Sequence, residues 1–174
     1  FVDAEGGEEN PLCGMHEPKD PDTSQNANSV VLLISFGDFR FLDAADLTWN
    51  LERELVCPIN RVGTVDVYQV DHHGLDMSNN PVLVRSIEPT VAIANNGPRK
   101  GPGPMTFKTL VETPSIQAIY QVHRNLQNAP EQNTSPNRIA NDAEECEAAG
   151  ILLTVAPDGS EYTVSVPSKK TEET

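Results

Sequence analysis

The sequence predicts a mixed α/β (α+β) domain, on three observations. Short apolar runs rich in β-branched residues alternate with helical patterns between residues 39 and 94. Two further apolar runs flank Pro157-Asp158-Gly159-Ser160, a turn sequence typical of a hairpin. With 174 residues, a hydrophobic fraction of 37% and 14 prolines, the chain is long enough for one core but rich in loops.

The first strands are predicted near the start of the domain. Residues 1–28 are rich in acidic residues, Asn and Pro, and we expect a loop or the severed end of a larger domain. The continuous apolar run at 29–36 predicts a strand covered on both faces. Gly37-Asp38 is a two-residue turn, and residues 39–42 form the partner strand of a hairpin.

A helix is predicted next, because Leu47, Leu51 and Leu55 recur at four-residue steps before Pro58. The elements that follow are a strand, a helix and a strand, at residues 65–70, 82–88 and 90–94. Strands joined through helices pair in parallel, so their carboxyl ends should share one edge of the sheet.

The second half of the chain is less regular. We predict a short helix, a strand, an acidic helix or loop and a hairpin, at residues 106–112, 116–122, 138–148 and 151–166. Residues 29–167 therefore form the predicted domain, and residues 168–174 are predicted to be a disordered tail.

Charge and cysteine content exclude some classes of protein. The net charge of −14 argues against nucleic-acid binding by this chain alone, since such binding depends on neutralising phosphates. No apolar stretch has the length of a membrane span, so we expect no membrane association. Three widely spaced cysteines favour buried thiols in a reducing compartment, and therefore the cytoplasm, although one bridge plus a free thiol stays open.

The candidate site residues follow the predicted parallel strands. The shared sheet edge would gather Asp46, His72, His73, Asn95 and Asn96, and ligands of α/β sheets bind at this edge. Imidazole and carboxylate side chains together are ligands for Zn²⁺, Mn²⁺ or Fe²⁺. In the simpler interpretation, Asp46 caps the helix after it and His72 donates to a backbone carbonyl.

A basic pair follows in a loop rich in Gly and Pro beside this edge. Arg99 and Lys100 are candidates for contacting an anionic substrate. The alternative is that both side chains are simply solvated, as exposed basic residues usually are.

From Asn26 to Gly97 the chain resembles the carboxyl-terminal half of a metallo-β-lactamase-fold hydrolase. It is most similar to the hydrolase domain of the ComEC competence proteins and their free-standing bacterial relatives. The resemblance rests on Asn28-Ser29-Val30-Val31-Leu32, on the strand that leads to Asp46, and on His72-His73-Gly74. Where the family usually has Thr-Gly-Asp, this chain has Ala44-Ala45-Asp46.

The resemblance implies half of an αββα sandwich and a dinuclear metal hydrolase. Two divalent ions, most often Zn²⁺ with Mn²⁺ or Fe²⁺ as alternatives, would be bridged by Asp46 and bound by His72. His73 would orient substrate or a metal ligand, and Asn95 and Asn96 would polarise the substrate. A metal-bound hydroxide would then attack an ester, phosphoester or lactam, in a small molecule or a phosphodiester.

One expected part of the family site is missing. The family motif His-x-His-x-Asp-His belongs upstream, and nothing in this chain matches it. The chain starts at Phe1, which we interpret as a fragment that lacks the amino-terminal half of its domain, binds metal poorly and is inactive alone. The alternatives are a degenerate, non-catalytic binding or assembly module, and an unrelated α/β domain in which Asp46 and His72 lie far apart.

Overall fold

The computed structural model describes residues 9–174 and confirms the mixed α/β class. Six strands form one sheet in sequential order: β1 (Leu32–Phe36), β2 (Phe39–Asp43), β3 (Val67–Val70), β4 (Val91–Ala94), β5 (Ala118–His123) and β6 (Ile139–Asn141). β1 pairs antiparallel with β2, and all later pairs are parallel. The predicted alternation of strands and helices between residues 39 and 94 is therefore confirmed.

Three helices cover one face of this sheet: α1 (Trp49–Glu54), α2 (Pro81–Ile87) and α3 (Pro104–Glu112). The side chain of Asn80 accepts a hydrogen bond from the Val82 N–H and caps α2, whose first residue is Pro81. Alternating strand residues such as Leu42 and Tyr68 point toward the helices and form one core with them.

A second sheet covers the other face, with β7 (Leu152–Val155), β8 (Tyr162–Val166) and β9 (Thr171–Glu173) in that order. The alternate strand residues, among them Val67 and Ile93, form a second core with Val164 and Val166. The domain thus has three layers: helices, the six-stranded sheet and the three-stranded sheet.

One prediction about the second half of the chain is wrong. The tail at 168–174 is not disordered, because β9 pairs with β8 and Arg138 donates two hydrogen bonds to the carboxylate of Glu173. The acidic stretch at 138–148, which we predicted to be a helix or a loop, contains the short strand β6 and is a loop after Asn141.

The face of β1 toward the second sheet is only partly covered, so the prediction of a strand buried on both faces is also wrong. Four alternating side chains, which we call the apolar row, are 50% to 71% exposed: Val30, Leu32, Ile34 and Phe36. Opposite them, Phe41 and Phe39 on β2 do pack against the second sheet. The second sheet, in which β7 is an edge strand, does not cover the apolar row fully. The side chains of the row are therefore exposed to water.

Residues 9–28, which we call the strap, run across α1 and α2 with two short 3-10 helices, Pro11–Met15 and Gln25–Asn28. Residues 1–8 of the predicted loop lie outside the described residues. A disulfide joins Cys13 of the strap to Cys57, whereas Cys146 is free and exposed. Two of the three cysteines are therefore not the free buried thiols that we expected, and the argument for a reducing compartment does not hold, since disulfides persist mainly in oxidising ones.

Among residues 9–174, none of the helices is long and apolar enough to span a bilayer.

Removing the disulfide should destabilise the domain. Its cysteines lie 44 residues apart in sequence, and constraining a loop of this size in the unfolded chain contributes about 2–4 kcal/mol. We expect Cys13→Ser to lower the free energy of unfolding in urea by that amount. Cys146→Ser, which removes the free thiol, should leave it unchanged, and equal values for Cys13→Ser and the unmodified protein would contradict the bridge.

Charge on the apolar row should reduce self-association. We expect Ile34→Lys to lower the sedimentation coefficient of the chain at high concentration, because a free strand edge with apolar side chains pairs with other chains. The matched variant Val111→Lys changes an apolar residue on α3 that is 60% exposed and should leave association unaltered. Equal effects of both substitutions would show that added charge alone is responsible.

Candidate functional site

The carboxyl ends of β2 and β3 bring three predicted site residues together. The Oδ2 atom of Asp46 lies 4.0 Å from Nε2 of His72, and its Oδ1 atom lies 3.9 Å from Nε2 of His73. The backbone N–H of His72 donates to the Ala45 carbonyl, which joins the two loops. This convergence excludes the alternative in which Asp46 and His72 lie far apart.

Asp46 is not a helix cap. The N-cap of α1 is Thr48, and no side chain caps this helix. The Asp46 side chain is 40% exposed and faces the two imidazoles, so the simpler interpretation of this aspartate is wrong.

The loops that carry Asp46 and the two histidines have a strained backbone. Ala45, His72 and His73 all have positive φ, with values of 53°, 52° and 58°. Non-glycine residues rarely adopt this left-handed conformation, which costs about 1–2 kcal/mol per residue. The strain turns both imidazoles toward the carboxylate, and strained residues of this kind cluster at functional sites.

Hydrogen bonds fix which nitrogen of His72 carries the proton. Its Nδ1 atom lies 3.2 Å from the Ser78 hydroxyl, which donates its own proton to the Leu47 carbonyl at 2.7 Å. Because that proton is already used, the hydroxyl must accept one from Nδ1. The lone pair of neutral His72 therefore lies on Nε2 and faces Asp46.

The same argument applies to His73, whose Nδ1 lies 2.9 Å from the Asn95 carbonyl. A carbonyl oxygen only accepts, so Nδ1 carries a proton, and in the neutral imidazole the lone pair lies on Nε2. Burial lowers the pKa of His72, Asp46 partly offsets this, and the positive charge of Lys100 lowers the pKa further. His72 is therefore the neutral imidazole that a metal requires.

Toward its centre the site presents three acceptors, and the Asn26 amide, whose Nδ2 lies 3.4 Å from Nε2 of His72, is the donor that meets one of them. Neither Nε2 atom forms a hydrogen bond with the carboxylate, because both gaps are too long. Two ligands of one ion stand at most about 4.2 Å apart, given bonds of about 2.1 Å, and both gaps fit within this limit. A cation in either gap would satisfy the imidazole and the carboxylate oxygen that border it.

The protein ligand set is incomplete for a tightly held ion. Within residues 9–174, no three His, Cys, Asp or Glu side chains are arranged closely enough to hold one together. The two imidazole centroids are 6.2 Å apart, and each histidine meets a different oxygen of Asp46. His16 and His123 lie outside the site and contact Asn80 and backbone carbonyls, respectively.

The four predicted substrate residues occupy different environments. Asn96 is buried, and its amide donates to the carbonyls of Gly97, Gly101 and His123. It therefore holds the loop at 97–103 in place, and none of its N–H groups is left for a substrate. The side chain of Asn95 is exposed, while its carbonyl orients His73.

The loop at 97–103 packs directly on the histidine segment. A Cβ atom on Gly101 would lie only 1.8 Å from the His73 carbonyl oxygen, so glycine is required there. Lys100 is the neighbouring residue and is exposed. Arg99 instead binds Glu144 at 2.7 Å.

Two carboxyl groups are buried in the elements that carry the site residues. Glu52, fully buried on α1, accepts hydrogen bonds from the backbone N–H groups of Asn79 and Asn80 at 2.6 and 2.7 Å. Asp71, next to His72, is buried, and neither of its oxygens has a hydrogen-bond partner among the described residues. Burial, and then the charge of Glu52, raises the pKa of Asp71 well above its usual range.

These surroundings therefore favour the protonated form of Asp71. Burial also raises the pKa of Glu52 to about 7, although the backbone N–H groups of Asn80 and Asn79 that donate to its carboxylate oppose this.

Sequence reasoning missed Ser78, Glu52 and Asp71. Glu52 carries a signal, since an acidic residue stands beside the apolar Leu51 and Leu55 positions of a short amphipathic helix, but a solvated interpretation fits that pattern equally well.

Comparison with protein-family models, with curated proteins and with solved structures finds no match for this chain.

Replacing Glu52 should change both stability and its pH dependence. Because the folded state holds this proton above the ordinary pKa of 4.5 and up to about 7, raising the pH across this interval should destabilise the domain. Glu52→Gln removes this titration and one acceptor for a buried N–H. We expect it to cost about 1–3 kcal/mol at pH 5 and to flatten the decline toward pH 8.

Urea unfolding at several pH values measures both effects. Glu54→Gln changes an exposed glutamate of the same helix and should reproduce the unmodified profile. A profile for Glu52→Gln that declines as steeply as the unmodified one would contradict this assignment.

Proposed function

We propose that this chain is the carboxyl-terminal part of a dinuclear metal-dependent hydrolase. The observation that carries the proposal is that the Nε2 atoms of His72 and His73 both face the Asp46 carboxylate and form no hydrogen bond with it. Without a cation, such an arrangement leaves acceptors facing one another and is unfavourable. The outer hydrogen bonds of Ser78 and Asn95 support the same conclusion, because metal-binding histidines usually donate their second N–H in this way.

Asp46 is suited to bridging two ions. Each of its oxygens faces a different histidine, so Asp46 with His72 would hold one ion and Asp46 with His73 the other. In this proposal His73 is a ligand, rather than only an orienting residue. The mixture of imidazole and carboxylate ligands suits Zn²⁺, with Mn²⁺ or Fe²⁺ as alternatives.

Bound divalent ions would supply the Lewis acid that polarises a substrate carbonyl or phosphoryl oxygen and activates water. The protein's own part is to fix the tautomers and directions of His72 and His73. The strained backbone and the bonds to Ser78 and Asn95 achieve this before any ion arrives.

Lys100 is the residue that we propose for contact with substrate. It is exposed beside His73, and no ion pair of Lys100 exists within residues 9–174. Arg99 is neutralised by Glu144. One lysine without an ion pair beside the site, in a protein this acidic, favours a small substrate with an anionic group, a phosphodiester or a carboxylate, over a nucleic-acid duplex, which the net charge of −14 repels.

We further propose that the site is completed by the amino-terminal half of the same kind of domain. The ligand set is short of the three or four protein ligands typical of zinc sites. The apolar row is exposed on β1, and β1 begins opposite Asp43, at the end of the sheet that carries the site. A partner covering the row would therefore lie close enough to supply the remaining ligands.

Metal titration tests the proposal. In a Cys146→Ser background, which removes the exposed thiol, we expect weak binding of Zn²⁺ and Mn²⁺ measured by isothermal calorimetry, and no turnover of a chromogenic phosphodiester. Asp46→Asn, His72→Ala and His73→Ala should each lower the affinity by about 10-fold or more. Asp38→Asn makes the same charge change in an exposed turn and serves as the control.

Two results would contradict the proposal. Equal affinity in Asp46→Asn and Asp38→Asn would place the ions elsewhere. Absence of binding in the unmodified chain at millimolar metal would favour the degenerate, non-catalytic module.

A further inference from the structure

The strap brings one more side chain to the site. Its second 3-10 helix, Gln25–Asn28, begins at Ser24, whose hydroxyl accepts a hydrogen bond from the Asn26 N–H. The amide nitrogen Nδ2 of Asn26 lies 3.4 Å from Nε2 of His72. This is the only hydrogen bond of the Asn26 side chain within residues 9–174.

We propose that Asn26 is a metal ligand, which binds through its amide oxygen the ion shared by His72 and Asp46. This inference rests on the proposed function. A cation in front of Nε2 would repel the N–H groups of Nδ2, and a half-turn of the amide about its Cβ–Cγ bond replaces Nδ2 with Oδ1. The amide oxygen is a neutral ligand that divalent ions accept from Asn side chains.

Asn26 also provides a hydrogen-bond partner for His72 when no ion is bound. In the absence of an ion, its Nδ2 donates to the otherwise unpaired lone pair of His72. The same side chain thus serves both states, as a donor to His72 without the ion and as a ligand with it.

The strap holds Asn26 at a defined position. The indole N–H of Trp49 donates to the Glu17 carbonyl at 2.8 Å, and the Lys19 backbone exchanges two hydrogen bonds with the Asn50 side chain. The Thr48 hydroxyl donates to Asp22 at 3.2 Å. These contacts flank the 3-10 helix on its amino-terminal side and fix where it meets His72.

An added oxygen ligand also affects metal choice. Asp46 and Asn26 contribute oxygen and His72 contributes nitrogen, and oxygen-rich sets suit Mn²⁺ better than all-nitrogen or sulfur sets do. Loss of the amide oxygen should therefore weaken Mn²⁺ binding more than Zn²⁺ binding.

Binding of Mn²⁺, followed by the electron paramagnetic resonance of the free ion, tests the proposal without any need for activity. We expect Asn26→Ala to weaken binding about 10-fold, and Asn26→Asp, which offers a carboxylate oxygen, to match or exceed the unmodified affinity. Asn28→Ala removes an exposed amide from the same 3-10 helix and should leave the affinity unchanged. Thermal unfolding of all three variants checks that the strap remains folded.

The outcomes separate this inference from the proposed function. If Asn26→Ala binds Mn²⁺ as tightly as the unmodified chain, or more tightly, Asn26 only covers His72 and the inference is overturned. Equal losses in Asn26→Ala and Asn28→Ala would indicate displacement of the strap and would also overturn it. If Asp46→Asn binds normally, or the unmodified chain binds no ion, the proposed function fails and the inference falls with it.

Discussion

Parallel pairing of β2 with β3 is the constraint on which the candidate site depends. Phe41 pairs with Val67 and Asp43 with Gln69, so both strands end at the same edge with a fixed offset. Asp46 follows one strand by three residues, and His72 follows the other by two. A shift of this register by one residue would turn the inward side chains of β3 outward, and would separate the carboxylate from both imidazoles.

The conformation of the site lowers the free energy of unfolding, and interactions elsewhere in the fold must offset this loss of stability. Three non-glycine residues with positive φ and a pair of buried carboxyl groups lie in the loops after β2 and β3 and on the adjoining helix α1. Both hydrophobic cores meet on the central strands and hold them in place. The local strain therefore persists because strands on either side of β3 are fixed, and this kind of strain is characteristic of sites where geometry is more important than stability.

Sequence patterns predicted the elements whose signals are local. Apolar periodicity located β2 to β5 and all three helices, and the cap at Asn80 with Pro81 marked the start of α2. The same logic predicted that Asp46, His72 and His73 share an edge. It failed for β9, which is held by the contact between Arg138 and Glu173 across 35 residues, because such a pair leaves no periodic signal in either segment.

The finer parts of the site could not be predicted for a related reason. The tautomers of His72 and His73 depend on Ser78 and on a backbone carbonyl, and a carbonyl has no signature in a sequence. Asn26 reaches His72 only because the strap folds back over α1. Composition alone predicts a loop for that segment, and it contains no information about what the loop covers.

The sequential strand order of the large sheet has a consequence for how the chain acquires its structure. Each of the six strands pairs with its nearest neighbour in sequence, so no strand has to wait for a distant one to be synthesised. Such a sheet can grow one strand at a time from β1 as the chain leaves the ribosome, because each new strand meets a partner that has already been synthesised. The second sheet forms last, and until β7 and β8 arrive, one whole face of the growing sheet is open to other proteins. Chaperone contact during synthesis would therefore concentrate on that face.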